Sequence, residues 1–218
     1  MKATIFGEGI NDSGYVTQKS EYIYRGDGTY YKKLLWFCPY YSTWRGMITR
    51  CYSEAFQKKY PAYIGCTVSE EWKTFSNFKS WMEEQDWEGK HLDKDLLVDG
   101  NRVYSRETCV FIPNMINNFI VDNKASRGEF PVGVMWDNNW GKFRASVRNY
   151  RTKKQEHLGS FICPNEAHKA WGKRKYELAV QLAAEQTDKR VAKALVSRYE
   201  VFSDILSNQA VPRKGKTQ

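Results

Sequence analysis

Long apolar runs are missing from this chain of 218 residues, and no uninterrupted stretch approaches the ~18 residues that cross a membrane. The opening MKATIFGEGINDSGY lacks an apolar stretch of signal-peptide length, so we expect a cytosolic protein with no membrane partner. Metal-finger spacing is missing as well. The five cysteines (38, 51, 66, 109 and 163) include no CxxC pair, and the three histidines (91, 157 and 168) are not spaced as zinc ligands. Buried, reduced thiols are the expectation. Gly7 and Gly9 lack the strand–GxGxxG–helix context of a dinucleotide site. No internal repeat is present.

Aromatics are abundant, at 15%, and 41% of the chain is hydrophobic, which a disordered chain would not show. Charge is unbalanced: 34 basic against 25 acidic side chains, net +9. The excess is local. Residues 1–123 carry 15 basic and 16 acidic side chains, residues 124–175 carry 12 and 4, and residues 176–218 carry 7 and 5. Solubility does not require that concentration; a surface that meets phosphate does.

The apolar pattern supplies the elements. DGTYYKKLLWFCPYY reads as a strand or hairpin after a glycine turn. Trp44, Met47, Ile48 and Cys51 fall at helical spacing. A second helix is expected from Ser69, with Glu70 and Glu71 in its first turn and Trp72, Phe75, Phe78, Trp81 and Met82 along a core-facing stripe. In HLDKDLLVDGNRVYSRETCVFIPNMINNF, LDKDLLV reads as a strand, DGN as a turn and TCVFI as a second strand ending at Pro113. PNMINNFI then opens a helix, which gives a ββα unit. Arg127–Gly128 reads as a hinge.

Beyond the hinge, PVGVMW leads to a turn at DNNWG, and KFRASVRN alternates strictly. Phe143, Ala145 and Val147 point one way; Lys142, Arg144, Ser146 and Arg148 point the other. KKQEHLGSF is a third strand, and Pro164 starts a helix. A last amphipathic helix, capped by Thr187 or Asp188 and running to about Ser207, either packs on its own module or pairs with a second copy in a homodimer. A three-stranded sheet with one apolar face on a helix leaves Lys142, Arg144 and Arg148 in solvent, extended around the hairpin by Arg151, Lys153 and Lys154. A groove about 12 Å wide admits such a sheet, so double-stranded DNA is the expected partner. Trp136 and Trp140 either pack on sugar and thymine methyl groups or cap the small core. Eight neutralised phosphates would give a salt slope of roughly −7.

The motifs PVGV, KFRASV, LGSF and EAHKAW, in that order over about residues 128–184, resemble the Apetala-type (ethylene-response-factor) DNA-binding domain found in phage and mobile-element proteins. That resemblance implies a three-stranded sheet entering the major groove. Upstream, YSTWRGMITRCYS, EEWKTFSNFKSWM and LDKDLLVDGNRVYSRETCVFI are similar to the HNH-like homing endonucleases of bacteriophages. Such enzymes use a divalent metal ion, Mg²⁺ or Mn²⁺, and a histidine base in a ββα site. Where the base is expected, this chain offers Asp93 and Asp95; His91 precedes the LDKDLLV stretch, and Thr108 stands where asparagine is common. The candidate catalytic set is Asp93, Asp95 and Asn117, with Asp93 and Asn117 as metal ligands if the site is active.

The expected fold is α+β: an HNH-like ββα module over residues 1–123, a sheet-on-helix DNA-binding module over 124–186, and a helix with a basic tail over 187–218. The expected function is site-specific duplex DNA binding of the phage homing-endonuclease type, in a bacterial cytosol. A cleaving form would be a metal-dependent nickase or endonuclease. A form that has lost cleavage would act as a transcriptional repressor. A non-specific nucleic-acid-binding protein is the further alternative.

Overall fold

The computed structural model describes residues 4–121 and 129–203; the expected hinge at Arg127–Gly128 and the basic tail lie outside them. The fold is mixed α+β, built from helices and small, mostly antiparallel sheets. The chain divides into two compact units, Met1–Pro113 and Asn114–Gln218. No described helix is long and apolar enough to cross a membrane.

The first unit holds β1 (Thr4–Ile5), β2 (Gly9–Ile10), β3 (Gln18–Tyr24), β4 (Tyr30–Phe37), α1 (Pro39–Tyr52), α2 (Glu54–Lys59) and β5 (Thr67–Val68). It continues with α3 (Glu70–Lys73), α4 (Phe75–Glu83), β6 (Lys90–Asp93), β7 (Val103–Tyr104) and β8 (Val110–Pro113). Pro39 starts α1, where its missing N–H costs nothing, and Tyr41, Trp44, Met47, Ile48 and Cys51 make its buried stripe, as the spacing predicts. That stripe meets Trp72, Phe75, Phe78, Trp81 and Met82, and the Trp44 indole donates to the Trp72 carbonyl at 2.7 Å. The single helix expected from Ser69 is broken at Thr74. Thr74 turns extended, bridges to Ile10, and hands over to α4. Asp12 takes the capping role at that break, accepting from the Ser76 N–H at 2.9 Å and the Ser76 hydroxyl at 2.6 Å.

Cys38, Cys51, Cys66 and Cys109 are buried, Cys163 is half-buried, and none is paired. Burial pushes the thiols of Cys51 and Cys109 up to about 12, which keeps them protonated and inert at neutral pH.

The second unit holds α5 (Asn114–Ile120), β9 (Val134–Asp137), β10 (Lys142–Arg148), β11 (Gln155–Phe161), α6 (Pro164–Ala184) and α7 (Lys189–Ser197). The three strands form one antiparallel sheet in the order β11–β10–β9. Ala145 and Ala167, both fully buried, let sheet and α6 approach closely; Val134 completes that core and Phe143, Leu158 and Phe161 flank it. Gly133 is at φ +79°, and a Cβ there would lie 2.0 Å from the Trp171 ring. His168 Nδ1 lies 2.9 Å from the Val132 carbonyl and its ring stacks on Trp171. The PVGV and EAHKAW motifs therefore lock the first strand onto α6.

The last helix is shorter than its pattern predicts. Asp188 caps α7, accepting from the Arg190 N–H at 2.8 Å, and the helix ends at Ser197. Its Val191 and Leu195 are buried within the unit, and Phe202 of the following turn packs against Gly172 of α6. The apolar stripe considered for a homodimer is thus covered by its own unit; Ile205 and Leu206 lie outside the described residues.

Candidate nucleic-acid interface

In β10, exposed Lys142, Arg144 and Arg148 alternate with Phe143, Ala145 and Val147, which face α6. Register carries this face across the sheet. Arg144 pairs with Met135 of β9 and Ser160 of β11, Ser146 with His157, and Arg148 with Gln155. A bulge at Ala145/Ser146, opposite Gly159 at φ +129°, shifts β11 by one residue and returns Ser160 to the same face as His157. Gln155, His157 and Ser160 were not expected from sequence. The alternation of QEHLGSF brings up the first two, but Ser160 depends on the bulge.

The cations on this surface are not equivalent. Among the described residues, Lys142, Arg148, Lys153 and Lys154 have no ion-pair partner, while Arg144 lies 3.7 Å from Asp137 and donates towards the Met135 sulfur at 3.1 Å. Arg151 differs from expectation. Its guanidinium bonds Glu185 at the end of α6 and the Tyr150 hydroxyl, and those partners hold its proton more tightly than usual while lowering the Glu185 carboxyl. Arg151 thus ties the β10–β11 turn to α6. Asn149 builds that turn, accepting from the N–H groups of Arg151 and Thr152, with Lys153 in the left-handed region at φ +59°.

The two tryptophans separate. Trp136 pairs with Phe143, so it shares the apolar face, and its ring meets Phe143 edge-on at 4.8 Å. It caps the small core. Trp140 is 77% exposed at the β9–β10 turn and, with Asp137, Arg144, His157 and Ser160, lines a shallow cleft of about 400 Å³ on the cationic face.

The acidic loop is built differently. Strand β6 is Lys90–Asp93, paired with β8, so His91 lies inside the strand and only Leu92 and Asp93 of LDKDLLV belong to it. Asp93 ends it: one carboxylate oxygen accepts from the N–H groups of Asp95 at 2.9 Å and Leu96 at 2.6 Å. Burial raises the Asp93 pKa, and the two N–H donors oppose that rise. Asp95 pairs with Lys94, whose buried ammonium also donates to the Asn101 carbonyl at 2.8 Å. Asn101 closes the loop by donating to the carbonyls of Lys94 and Val103. Thr108 donates to the Val103 carbonyl at 2.7 Å.

Asn117 belongs to α5, in the other unit from Asp93 and Asp95. Among the described residues, no group of three or more His, Cys, Asp or Glu side chains is arranged to hold a metal ion. Within the first unit, Asp93 and Asp95 are both engaged in shaping their own loop.

No protein-family model, no curated protein and no solved structure matches the chain. The likeness to HNH-like and Apetala-type proteins therefore stands on the motifs alone.

Proposed function

We propose that this is a site-specific double-stranded DNA-binding protein whose β9–β11 sheet enters the major groove. One observation carries the reading: on β10, every apolar side chain packs towards α6 and every cation faces solvent, beside the hydrogen-bonding side chains of Gln155, His157 and Ser160. Arginine on a rigid sheet suits two-pronged contact with guanine, and the unpaired lysines suit phosphate. Replacing Arg144 and Arg148 together by alanine should weaken specific duplex binding at least tenfold (about 1.4 kcal/mol). Unchanged affinity would show that another face binds.

The motifs support the phage homing-endonuclease type, acting at DNA in a bacterial cytosol. The engagement of Asp93 and Asp95 in their own loop favours the form that binds without cutting. A protein held in the groove over a promoter excludes polymerase, so a transcriptional repressor follows. Incubation with supercoiled and linear DNA in Mg²⁺ or Mn²⁺ separates the forms. A footprint on intact DNA supports the binder; a defined nick that Asp95→Ala abolishes supports the nuclease. Competition by structured RNA equal to that by a selected duplex would favour the non-specific reading.

A further inference from the structure

The β3–β4 hairpin has no part in the reading above, and its surface is unusual. The turn is firmly made: the Arg25 N–H donates to the Thr29 carbonyl at 3.0 Å, and Asp27 accepts from both the N–H and the hydroxyl of Thr29. Cross-strand pairs Tyr24–Tyr30, Tyr22–Lys32 and Ser20–Leu34 alternate with Ile23–Tyr31 and Glu21–Lys33. One face therefore presents Tyr22, Tyr24, Tyr30, Lys32 and Leu34 together, with Tyr22 71% and Tyr30 65% exposed. Solvated proteins seldom leave such a row of large rings uncovered, and an isolated two-stranded hairpin is marginal without a partner.

We propose that this tyrosine–lysine face binds single-stranded nucleic acid, with unstacked bases on the rings and phosphate at the lysines. Tyr24 and Tyr30 pack on each other with ring centroids 5.2 Å apart, and the Tyr24 hydroxyl accepts from the Gly28 N–H. That pair closes the turn end of the face, while Tyr22, about 6.7 Å along the strand from Tyr24, leaves its own ring open to a base. The charge is complementary. Residues 18–37 carry Lys19, Arg25, Lys32 and Lys33 against Glu21 and Asp27. Glu21 lies 3.8 Å from Lys33 on the opposite face, and Asp27 is held in the turn, which leaves Lys32 without an ion pair among the described residues in the middle of the ring row. Aromatic rings interleaved with cations are the pattern of a stacking platform.

Other occupants fit less well. A second copy laid face to face would bring the two Lys32 ammonium groups together. A lipid bilayer would be entered tip first, and the tip here, Arg25–Gly26–Asp27–Gly28–Thr29, carries no large apolar side chain. Duplex DNA keeps its base faces stacked inside, out of reach of tyrosine rings. The site is independent of the β9–β11 reading.

The test uses the full chain and a labelled oligothymidylate at low salt. Tyr22→Thr, Tyr30→Thr and Lys32→Gln together keep strand-compatible, exposed side chains and should weaken oligothymidylate binding at least tenfold, with the far-UV circular dichroism spectrum of the folded chain retained. Tyr22→Phe alone retains the ring and should bind within twofold of wild type. Arg144→Ala with Arg148→Ala should leave this binding intact while lowering duplex affinity. The proposal is overturned if wild type fails to bind the oligomer, if the triple variant binds it as well as wild type, or if only the β10 variant loses it. It is equally overturned if the triple substitution abolishes self-association or binding to anionic vesicles while oligothymidylate binding is unaffected.

Discussion

The β9–β11 sheet and the β3–β4 hairpin both display cations beside aromatic rings, but only one has a helix behind it. In the sheet, α6 covers one side, so Phe143, Ala145 and Val147 are withdrawn and the cations are sorted onto the other. In the hairpin nothing sorts them: Tyr22, Tyr31, Leu35 and Trp36 are all exposed. A backed sheet offers a rigid, one-sided surface suited to a groove of fixed shape. An unbacked ribbon offers ring faces to a flexible chain.

Glycine substitution tests the backing itself and should have the largest effect. Gly133→Ala puts a methyl into the Trp171 ring at positive φ, and should cost the second unit about 3 kcal/mol in thermal unfolding. Gly26→Ala in the hairpin turn, also at positive φ but with open space around it, should cost about 1 kcal/mol by backbone strain alone. Equal costs would mean that α6 does not hold the sheet as described.

The next effect is pH-dependent. Lys175 on α6 is buried, donates to the Phe119 carbonyl at 2.6 Å, and is pushed down to about 7 by desolvation, with Arg198 adding to the shift. Between pH 7 and the unfolded lysine value near 10.4, the unfolded chain holds a proton that the folded one lacks, so stability rises with pH across that window. Below pH 7 the full penalty of a buried ammonium remains, partly offset by the Phe119 ring 3.5 Å beneath it. Lys175→Met should therefore stabilise the protein by roughly 2 kcal/mol at pH 6, with the gain shrinking towards pH 10. A gain independent of pH would contradict this.

Smaller still is Arg151→Ala. Its pair with Glu185 is solvent-exposed, so unfolding should shift only slightly, and duplex affinity should stay within twofold. A tenfold loss of binding would return Arg151 to the DNA surface. The salt dependence follows the same sorting. With Lys142, Lys153 and Lys154 as the phosphate cations, the slope should be about −3 rather than the −7 that eight contacts would give.

The same contrast explains what could be read from sequence. The stripe of α1 and the alternation of β10 were legible because each element has one wet and one dry side. The break at Thr74 was not, since it depends on Ile10 and Asp12 more than sixty residues earlier. Nor was the pairing of Arg151 with Glu185, 34 residues away, or the placing of Trp136 on the core face, which only register decides. In the acidic loop, LDKD reads as candidate chemistry because sequence cannot show that Asp93 already accepts two backbone N–H groups. The hairpin surface passed unnoticed because periodicity marks burial, and here neither face is buried.

The most direct test of major-groove reading is atomic substitution in the DNA. A duplex selected from a random pool is rebuilt with 7-deazaguanine at each guanine in turn, which removes the N7 acceptor from the major groove. Major-groove reading by these arginines predicts a loss of about tenfold at one or more positions for the wild-type protein, and no loss at those positions for the Arg144→Ala, Arg148→Ala variant. Wild-type binding indifferent to every replacement, or a loss that persists unchanged in the variant, would contradict it.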